Sequence, residues 1–174
     1  MTSEEEAPGA AIRLFAGALF VLLGAASPAV AAEAGHGDMP GHKHLALFLG
    51  AGEEDTPSGA KHGAEAIGVE YEYRLNNEWG IGAVVERLDV HGKTNTVVVV
   101  PFSYHFGGGF RAFFGPGYEF KAVASKDKAL ARIGLGYEFH INEHWTIAPE
   151  VLNDFLDGGY NTWLVGVAIG YGFH

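Results

Sequence analysis

Apolar and polar residues alternate along most of this chain, and the clearest example is a stretch that occurs twice. Residues 68–81 return as residues 134–147, with Gly, Tyr, Glu, Asn, Trp and Ile at the same six relative positions. Successive side chains of a strand point to opposite faces of the sheet. Each copy therefore predicts a strand with one apolar and one charged face, a tight turn at 76–78 or 142–144, and a second strand.

The same alternation predicts eight strands. They are expected at 44–52, 62–75, 79–90, 96–106, 110–121, 129–141, 145–153 and 161–173. Tight connections at 76–78, 107–109 and 142–144 separate longer polar ones at 53–61, 91–95, 122–128 and 154–160. Transmembrane barrels have short periplasmic turns and longer external loops, and their tilted strands need about 9–11 residues to cross a bilayer. The pattern favours an all-β, eight-stranded antiparallel up-and-down transmembrane β-barrel with four external loops and a periplasmic N-terminus.

The two faces of these strands differ in charge. The outward face is apolar through its middle: Ile67, Val69, Ile81, Val85, Val98, Val100, Phe102, Phe114, Ile133, Leu135, Ile147, Val151, Trp163, Val165, Val167 and Ile169. The inward face carries Ser103, His105, His140 and an expected ion-pair network of Glu70, Glu72, Arg74, Glu86, Arg111, Glu119, Lys121, Arg132, Glu138 and Glu150. A Lys or Arg at lipid depth costs about 2–4 kcal/mol. Apolar residues outside and charges inside therefore indicate that lipid surrounds the barrel.

Aromatic residues collect on the tight-turn side of the predicted barrel. They are Tyr71, Tyr73, Trp79, Tyr104, Phe106, Phe110, Tyr137, Phe139, Trp145, Tyr171 and Phe173. Rings with one polar end favour the boundary between membrane and water. These residues are therefore expected to form one interfacial girdle of the barrel.

Composition narrows the class of protein. The chain has 174 residues, no cysteine and a formal net charge of −10. The lack of cysteine excludes a disulfide framework and a thiolate metal site. The negative charge argues against nucleic acid as a partner, because nucleic-acid binding needs a basic face.

The first 32 residues are expected to be a cleavable signal peptide. The apolar run at 14–26 is too short to span a bilayer as a helix and has the length of a signal-peptide core. Arg13 precedes it and small residues at 30–32 suit cleavage, although the glutamates at 4–6 make the leader acidic. Residues 33–43 are expected to be a flexible segment rich in His and Gly, and residues 44–174 to form the barrel.

The pattern resembles the small OmpA/OmpX-type outer-membrane barrels of Gram-negative cell envelopes, across about residues 44–173. In that class an aromatic residue of the last strand is read by the barrel assembly machinery, and here Tyr171 and Phe173 alternate in that strand. Two departures are His174 after the aromatic residue and Ala168 where Gly is common. The resemblance implies a monomer in outer-membrane lipid, with the assembly machinery as a partner during biogenesis and no cofactor.

The interior of an eight-stranded barrel is just wide enough for its own side chains. Glu72 and Arg74 should face Gly82 and Gly80, which leaves long charged chains room to cross the lumen. Buried charges must be paired, so we expect a closed, ion-paired lumen rather than a conducting pore. The expected role is non-enzymatic, in envelope structure or in interaction through the external loops.

Three alternatives remain open. Lipid A-modifying barrel enzymes place His, Ser and acidic groups near the bilayer edge, and Ser103 and His105 share one strand face. His36, His42 and His44 could hold a metal ion in the periplasm, although no third ligand is fixed by the pattern. A soluble lipocalin-like barrel would need an apolar lumen and a polar exterior, which is the reverse of the assigned faces.

Overall fold

A computed structural model describes residues 42–122 and 126–173. Those residues form ten strands: β1 (Lys43–Asp55), β2 (Lys61–Arg74), β3 (Trp79–Val90), β4 (Lys93–Val99), β5 (Phe102–Gly107), β6 (Phe110–Lys121), β7 (Lys128–Tyr137), β8 (Phe139–His140), β9 (Trp145–Leu156) and β10 (Tyr160–Phe173). Within these two ranges no helix is long and apolar enough to cross a membrane. The predicted signal peptide and residues 33–41 of the predicted flexible segment lie outside the described residues.

The ten strands make eight passes around a closed barrel, because β4 with β5 and β7 with β8 each form one pass. All paired strands are antiparallel, and β10 pairs with both β9 and β1, which closes the ring. This confirms the predicted all-β eight-stranded barrel. The register partners of Ala46 can be followed from strand to strand around the wall, and they end at Tyr160 of β10. Tyr160 is next to Asn161, whose partner on β1 is Asp55. The ring thus returns to β1 about ten residues nearer the loop end, and the strands are correspondingly tilted.

Proline explains one of the two interruptions in the wall. Pro101 follows Val100 between β4 and β5, and it has no N–H to give to a neighbouring strand. The wall stays joined there because Gly82 N–H donates to the carbonyl of Pro101 at 2.8 Å and Val100 N–H donates to that of Pro116 at 3.0 Å. The other interruption, between β7 and β8, is at Glu138, whose N–H donates to the carbonyl of Gly109 at 2.7 Å.

The strands reach further into the predicted external loops than the sequence pattern indicated. β1 continues to Asp55, β4 begins at Lys93 and β9 continues to Leu156, so the fully described loop connections are 56–60, 91–92 and 157–159. The shortest is a two-residue hairpin turn between Val90 and Lys93, which are paired. His91 has a φ of 55° and Gly92 a φ of 70°, the two positive values that a type I′ turn requires.

The outer and inner faces follow the predicted alternation. Residues assigned outward are exposed or half-buried, and most of those assigned inward are buried. His140 is an exception and corrects the assignment, since it ends β8 at the turn and its side chain is exposed. The lumen is also less polar than expected, because it contains Phe48, Val84, Leu88, Val97, Val99, Phe113, Leu130, Leu152, Leu156 and Leu164 in the buried core.

The two copies of the repeated stretch lie on opposite sides of the barrel. The first forms β2, a turn and β3, and the second forms β7, β8, a turn and β9, four passes further around the ring. Equivalent residues of the two copies therefore face each other across the lumen. Glu72 and Glu138 are one such pair, and both are buried.

An asparagine closes the tight turn of each copy. Asn76 Oδ1 accepts hydrogen bonds from the N–H groups of Glu78 at 2.9 Å and Trp79 at 2.8 Å. Asn142 Oδ1 accepts from those of His144 at 2.9 Å and Trp145 at 3.0 Å. Asparagine favours such turns because its side chain can bond to the backbone two residues onward. These hydrogen bonds explain why Asn occurs at the same position in both copies of the repeat.

Replacing that asparagine should weaken the barrel. We expect Asn76→Ala to lower the free energy of unfolding by about 1 kcal/mol, since two backbone N–H groups lose their acceptor. The measurement is urea-induced unfolding in lipid vesicles, followed by circular dichroism. Asn77→Ala is the matched control, because the neighbouring Asn77 side chain makes no hydrogen bond to the described residues. Equal unfolding midpoints for the two variants would contradict the role of Asn76.

Candidate functional site: the ion-paired lumen

Arg111 of β6 lies among four glutamates in the half of the lumen nearest the tight turns. Its guanidinium contacts Glu150, and it lies 3.3 Å from Glu72, 3.5 Å from Glu70 and 3.7 Å from Glu138. The side chain of Arg111 is 6% exposed. A buried arginine is tolerated only when carboxylates replace its hydration, and here they come from β2, β9 and the segment between β7 and β8.

The two repeat-equivalent glutamates also contact a second arginine and a histidine. Arg74 Nε lies 2.6 Å from Glu72, and Arg74 Nη2 lies 3.4 Å from Glu138. His105 Nε2 lies 2.9 Å from Glu72, and its Nδ1 lies 4.0 Å from Glu138. Glu72 and Glu138 thus link Arg74, His105 and Arg111 into one group, which we call, together with the other two glutamates around Arg111, the lower network.

Arg132 of β7 forms a separate network nearer the loops. Its Nη1 and Nη2 donate to the two carboxylate oxygens of Glu86 at 2.7 and 2.6 Å. Its Nε and Nη2 donate to the two oxygens of Asp154 at 2.6 and 2.7 Å. Asp154 lies in β9 and not in the predicted external loop, because β9 continues past it to Leu156 and Asp154 is 2% exposed. All three guanidinium nitrogens of Arg132 are used, in the paired geometry that carboxylates favour.

The remaining predicted network residues lie at the loop end of the lumen. Glu119 Oε1 accepts hydrogen bonds from Lys121 Nζ at 2.6 Å and from Asn95 Nδ2 at 2.8 Å. Every residue of the expected ion-pair network therefore contacts at least one charged partner, but the contacts divide into three groups instead of one. Asn95 and Asp154 are not in the predicted network. Both lie at inward-facing positions when the alternation of their strands is continued toward the loops, and this alternation could have identified them.

Apolar rings fill the space between these charges. The ring of Phe48 lies where side chains at Gly50 and Gly166 would be, and the ring of Phe113 lies against Gly134. A Cβ at Gly50 would be 2.6 Å from Phe48 Cζ, which a real side chain could not tolerate. A cavity between the lumen side chains of the described residues has a volume of about 20 Å³, room for about one water molecule.

The predicted register of glycines with charged residues is confirmed, but the room for Glu72 is at Gly80 and not at its register partner Gly82. Glu72 is in register with Gly82, and Arg74 with Gly80. A Cβ at Gly80 would lie 2.6 Å from Glu72 Oε1. Because residue 80 is glycine, the Glu72 carboxylate can lie against the wall and contact Arg74.

Ser103 and His105 share the inner face of β5, as expected for the candidate catalytic pair. Ser103 is 2% exposed and borders the small cavity. The two side chains are not hydrogen-bonded to each other within the described residues, and the Nε2 atom of His105 is bonded to Glu72. The geometry supplies a histidine held by carboxylates, without a contact that would activate the serine.

The histidines proposed as metal ligands are only partly described. His36 lies outside the described residues, while His42 and His44 both face the lumen at its tight-turn mouth, beside Gly172 and Gly170. His44 Nε2 is hydrogen-bonded to Thr146 Oγ1 at 2.9 Å. Among the described residues, no group of three or more His, Asp or Glu side chains could hold a metal ion.

The aromatic residues near the tight turns contact one another in pairs around the wall. Trp79 and Tyr104 have ring centroids 4.8 Å apart, Phe110 and Tyr137 are 4.7 Å apart, and Trp145 lies 5.2 Å from Tyr171. These contacts join neighbouring strands β3 with β5, β6 with β7, and β9 with β10. These six rings of the predicted girdle thus lie side by side on the wall.

Removing Arg132 should be strongly destabilising, because it leaves Glu86 and Asp154 buried without a cation. We expect Arg132→Met to lower the free energy of unfolding by about 3–5 kcal/mol, measured as a shift of the urea midpoint. Neutralising both acids in the same chain, with Glu86→Gln and Asp154→Asn, should restore much of the loss. Arg87→Met is the control, because Arg87 is exposed and its ion pair with Asp89 spans 3.9 Å. A loss no larger than that of the control would contradict the proposed importance of this network.

The fold of this chain is similar to that of several solved structures. No protein-family model matches the chain, and no curated protein matches it. The N-terminal β-barrel domain of Pseudomonas aeruginosa OprF is 16% identical with a TM-score of 0.61, over 78% of this chain and 100% of that one. Ail, the attachment invasion locus protein of Yersinia pestis, is 15% identical with a TM-score of 0.57 over the same shares. Neisserial surface protein A is 6% identical with a TM-score of 0.57, over 76% of this chain and 99% of that one. The chain therefore has the fold of the small eight-stranded outer-membrane barrels, in agreement with the predicted location in the cell outer membrane.

Proposed function

We propose that this protein is a monomeric outer-membrane barrel with a closed lumen, and that its role is in envelope structure. The barrel assembly machinery would insert it, and outer-membrane lipid would be its main partner. The observation that carries the proposal is the pairing of Arg132 with Glu86 and Asp154, because it ties β7 to β3 on one side and to β9 on the other. This crossing lies in the path that any solute would take.

The apolar part of the lumen supports closure independently of the charges. Phe48 is fully buried, and Leu152 and Leu164 are 1% exposed. An ion entering this region would lose its hydration without meeting a compensating partner. Charge pairing and apolar packing thus block the lumen at different levels, which favours a closed barrel over a conducting one.

The short loop connections favour envelope structure over interaction through external loops. The three fully described connections, at 56–60, 91–92 and 157–159, leave few residues outside the barrel wall. A surface made by so few residues gives a small area for a partner to bury. The likeness to Ail concerns the fold and gives no reason to assign attachment to this chain.

Closure can be tested by electrical recording. We expect the purified barrel, inserted in planar lipid bilayers, to give no steady single-channel current, because its lumen is filled. Removing interior rings with Phe48→Ala and Phe113→Ala should produce transient currents. Phe114→Ala is the matched control, since Phe114 faces lipid next to Phe113, and it should remain silent. Heat-modifiable gel migration would verify folding, and steady current from the unaltered protein would contradict a closed lumen.

A lipid A-modifying activity gains little support from the lumen geometry. The Nε2 of His105 is bonded to Glu72 and Ser103 is enclosed, so we expect lipid A from cells with and without the gene to have identical masses. Mass spectrometry of extracted lipid A makes the comparison. An acyl chain gained or lost only when the protein is present, and abolished by Ser103→Ala, would overturn the non-enzymatic assignment.

A further inference from the structure

The outer wall of the barrel has an uneven apolar border at the loop end. On β2 and β3 the last large apolar residues facing outward are Ile67 and Val85, and the next outward positions carry Glu65 and Arg87. On β6 the outward face remains apolar as far as Phe120. The two sides of the barrel therefore present different surfaces to their surroundings.

The strand register shows that these surfaces lie at the same height. Tyr118 of β6 is in register with Val98, which is in register with Val85. Register partners lie progressively nearer the loop end from one strand to the next, by about ten residues over eight passes,. A residue at the same height as Tyr118 on β4 or β3 is therefore a little more than one residue per pass nearer the loops than its register partner. Tyr118 is thus level with Thr96 and Arg87, two passes or fewer away, and not with the valines.

Other aromatic residues lie at the level of Tyr118 once the same displacement per pass is applied to the registers of β7, β9 and β10. Phe155 of β9 and Trp163 of β10 lie at about this height, and Phe120 lies just above it. These four side chains are all exposed, and the rings of Tyr118 and Phe120 lie 5.1 Å apart. We call this set the aromatic shoulder; it continues directly from the lipid-facing wall beneath it.

A partly buried amide pair within this part of the wall also points to lipid as its surroundings. Asn153 faces the outer side of β9 yet is 1% exposed. Its side-chain amide exchanges hydrogen bonds of 3.1 and 3.0 Å with that of Asn161. Polar groups at lipid depth must be satisfied within the protein, because hydrocarbon offers no partners. On the opposite side, β3 carries the exposed ion Arg87 and its half-buried partner Asp89, which require water.

We propose that lipid acyl chains cover the aromatic shoulder, so that the hydrocarbon border stands higher along β6, β9 and β10 than along β2 and β3. With a strand rise of 3.3 Å per residue and a tilt near 40°, the difference is roughly 5–10 Å. At the tight-turn end, Trp79 lies eight residues below Arg87 on β3 and Phe110 lies eight residues below Tyr118 on β6. The lower aromatic border is therefore level between these strands, so the hydrophobic thickness itself is uneven. A bilayer meets such a mismatch by thinning locally or by tilting the barrel.

An uneven hydrocarbon border would affect the bilayer around the protein, in addition to the proposed role in envelope structure. Lipid beside β2 and β3 would be compressed, while lipid beside the aromatic shoulder would keep its full thickness. The protein would thereby impose an oriented disturbance on its surrounding bilayer. The partner implied is the acyl-chain layer itself, and no closed or open state of the lumen is required.

Single-cysteine labelling can test this directly, because the chain contains no cysteine. Tyr118→Cys and Phe155→Cys report on the aromatic shoulder, Arg87→Cys reports on the β2 and β3 side at equal height, and Phe114→Cys is the lipid-facing reference. Each full-length variant would carry a fluorophore, be folded in phospholipid vesicles and be checked for heat-modifiable migration. Quenching by aqueous iodide and by phospholipid with brominated acyl chains is then compared.

We expect labels at Tyr118 and Phe155 to resemble the Phe114 reference, with several-fold weaker iodide quenching than the Arg87 label and strong quenching by brominated chains. Equal iodide quenching at Tyr118 and Arg87 would overturn the proposal, since the border would then be level. Protection of the shoulder labels from both quenchers would also overturn it, because a protein surface such as a second copy would be covering them.

Discussion

Charge enclosed in the lumen has almost no water to solvate it, and the structure depends on replacing that water with opposite charge. Arg132 is the clearest case, because Glu86 and Asp154 occupy all three of its guanidinium nitrogens. Lipid on the outside drives charged side chains inward, and the narrow lumen then requires them to pair. Pairing across the lumen joins strands that are distant around the ring, so the same interaction that satisfies the charge also fixes the cross-section of the barrel.

The internal repeat gives this pairing its arrangement. The two copies lie four passes apart, which places Glu72 and Glu138 on opposite walls with Arg111 and Arg74 between them. The symmetry is incomplete, because the position equivalent to Arg74 in the second copy is His140, which is exposed. A strictly symmetric pair would add a further cation beside the same two glutamates. The departure leaves the lower network with more carboxylates than arginines, and His105 lies within reach of both equivalent glutamates.

Much of this architecture could be predicted from the sequence, because strand alternation has a period of two and each inward charge marks a face. The ends of the strands were less predictable. His91 has a positive φ within a tight hairpin turn. The sequence gives little sign of this turn, because residues other than Gly or Asn seldom have a positive φ. The sequence predicts a loop at Asp154 because acidic residues near Gly suggest turns. The partition of the lumen into charged and apolar levels depends on strand tilt, which no single strand reveals, so the position of Phe48 beside its glycines could not be predicted.

The charged and apolar parts of the lumen stabilise each other, and neither would suffice alone. The Cζ atom of Arg111 lies 5.0 Å from the centroid of the Phe113 ring, so an aromatic face covers part of the guanidinium while glutamates bind its N–H groups. Excluding water in this way lowers the local dielectric and strengthens each ion pair. The ring in turn fits only because Gly134 leaves space for it. A lumen of charges alone would admit water and weaken its own pairs, whereas an apolar lumen alone would lack the specific contacts that set strand against strand.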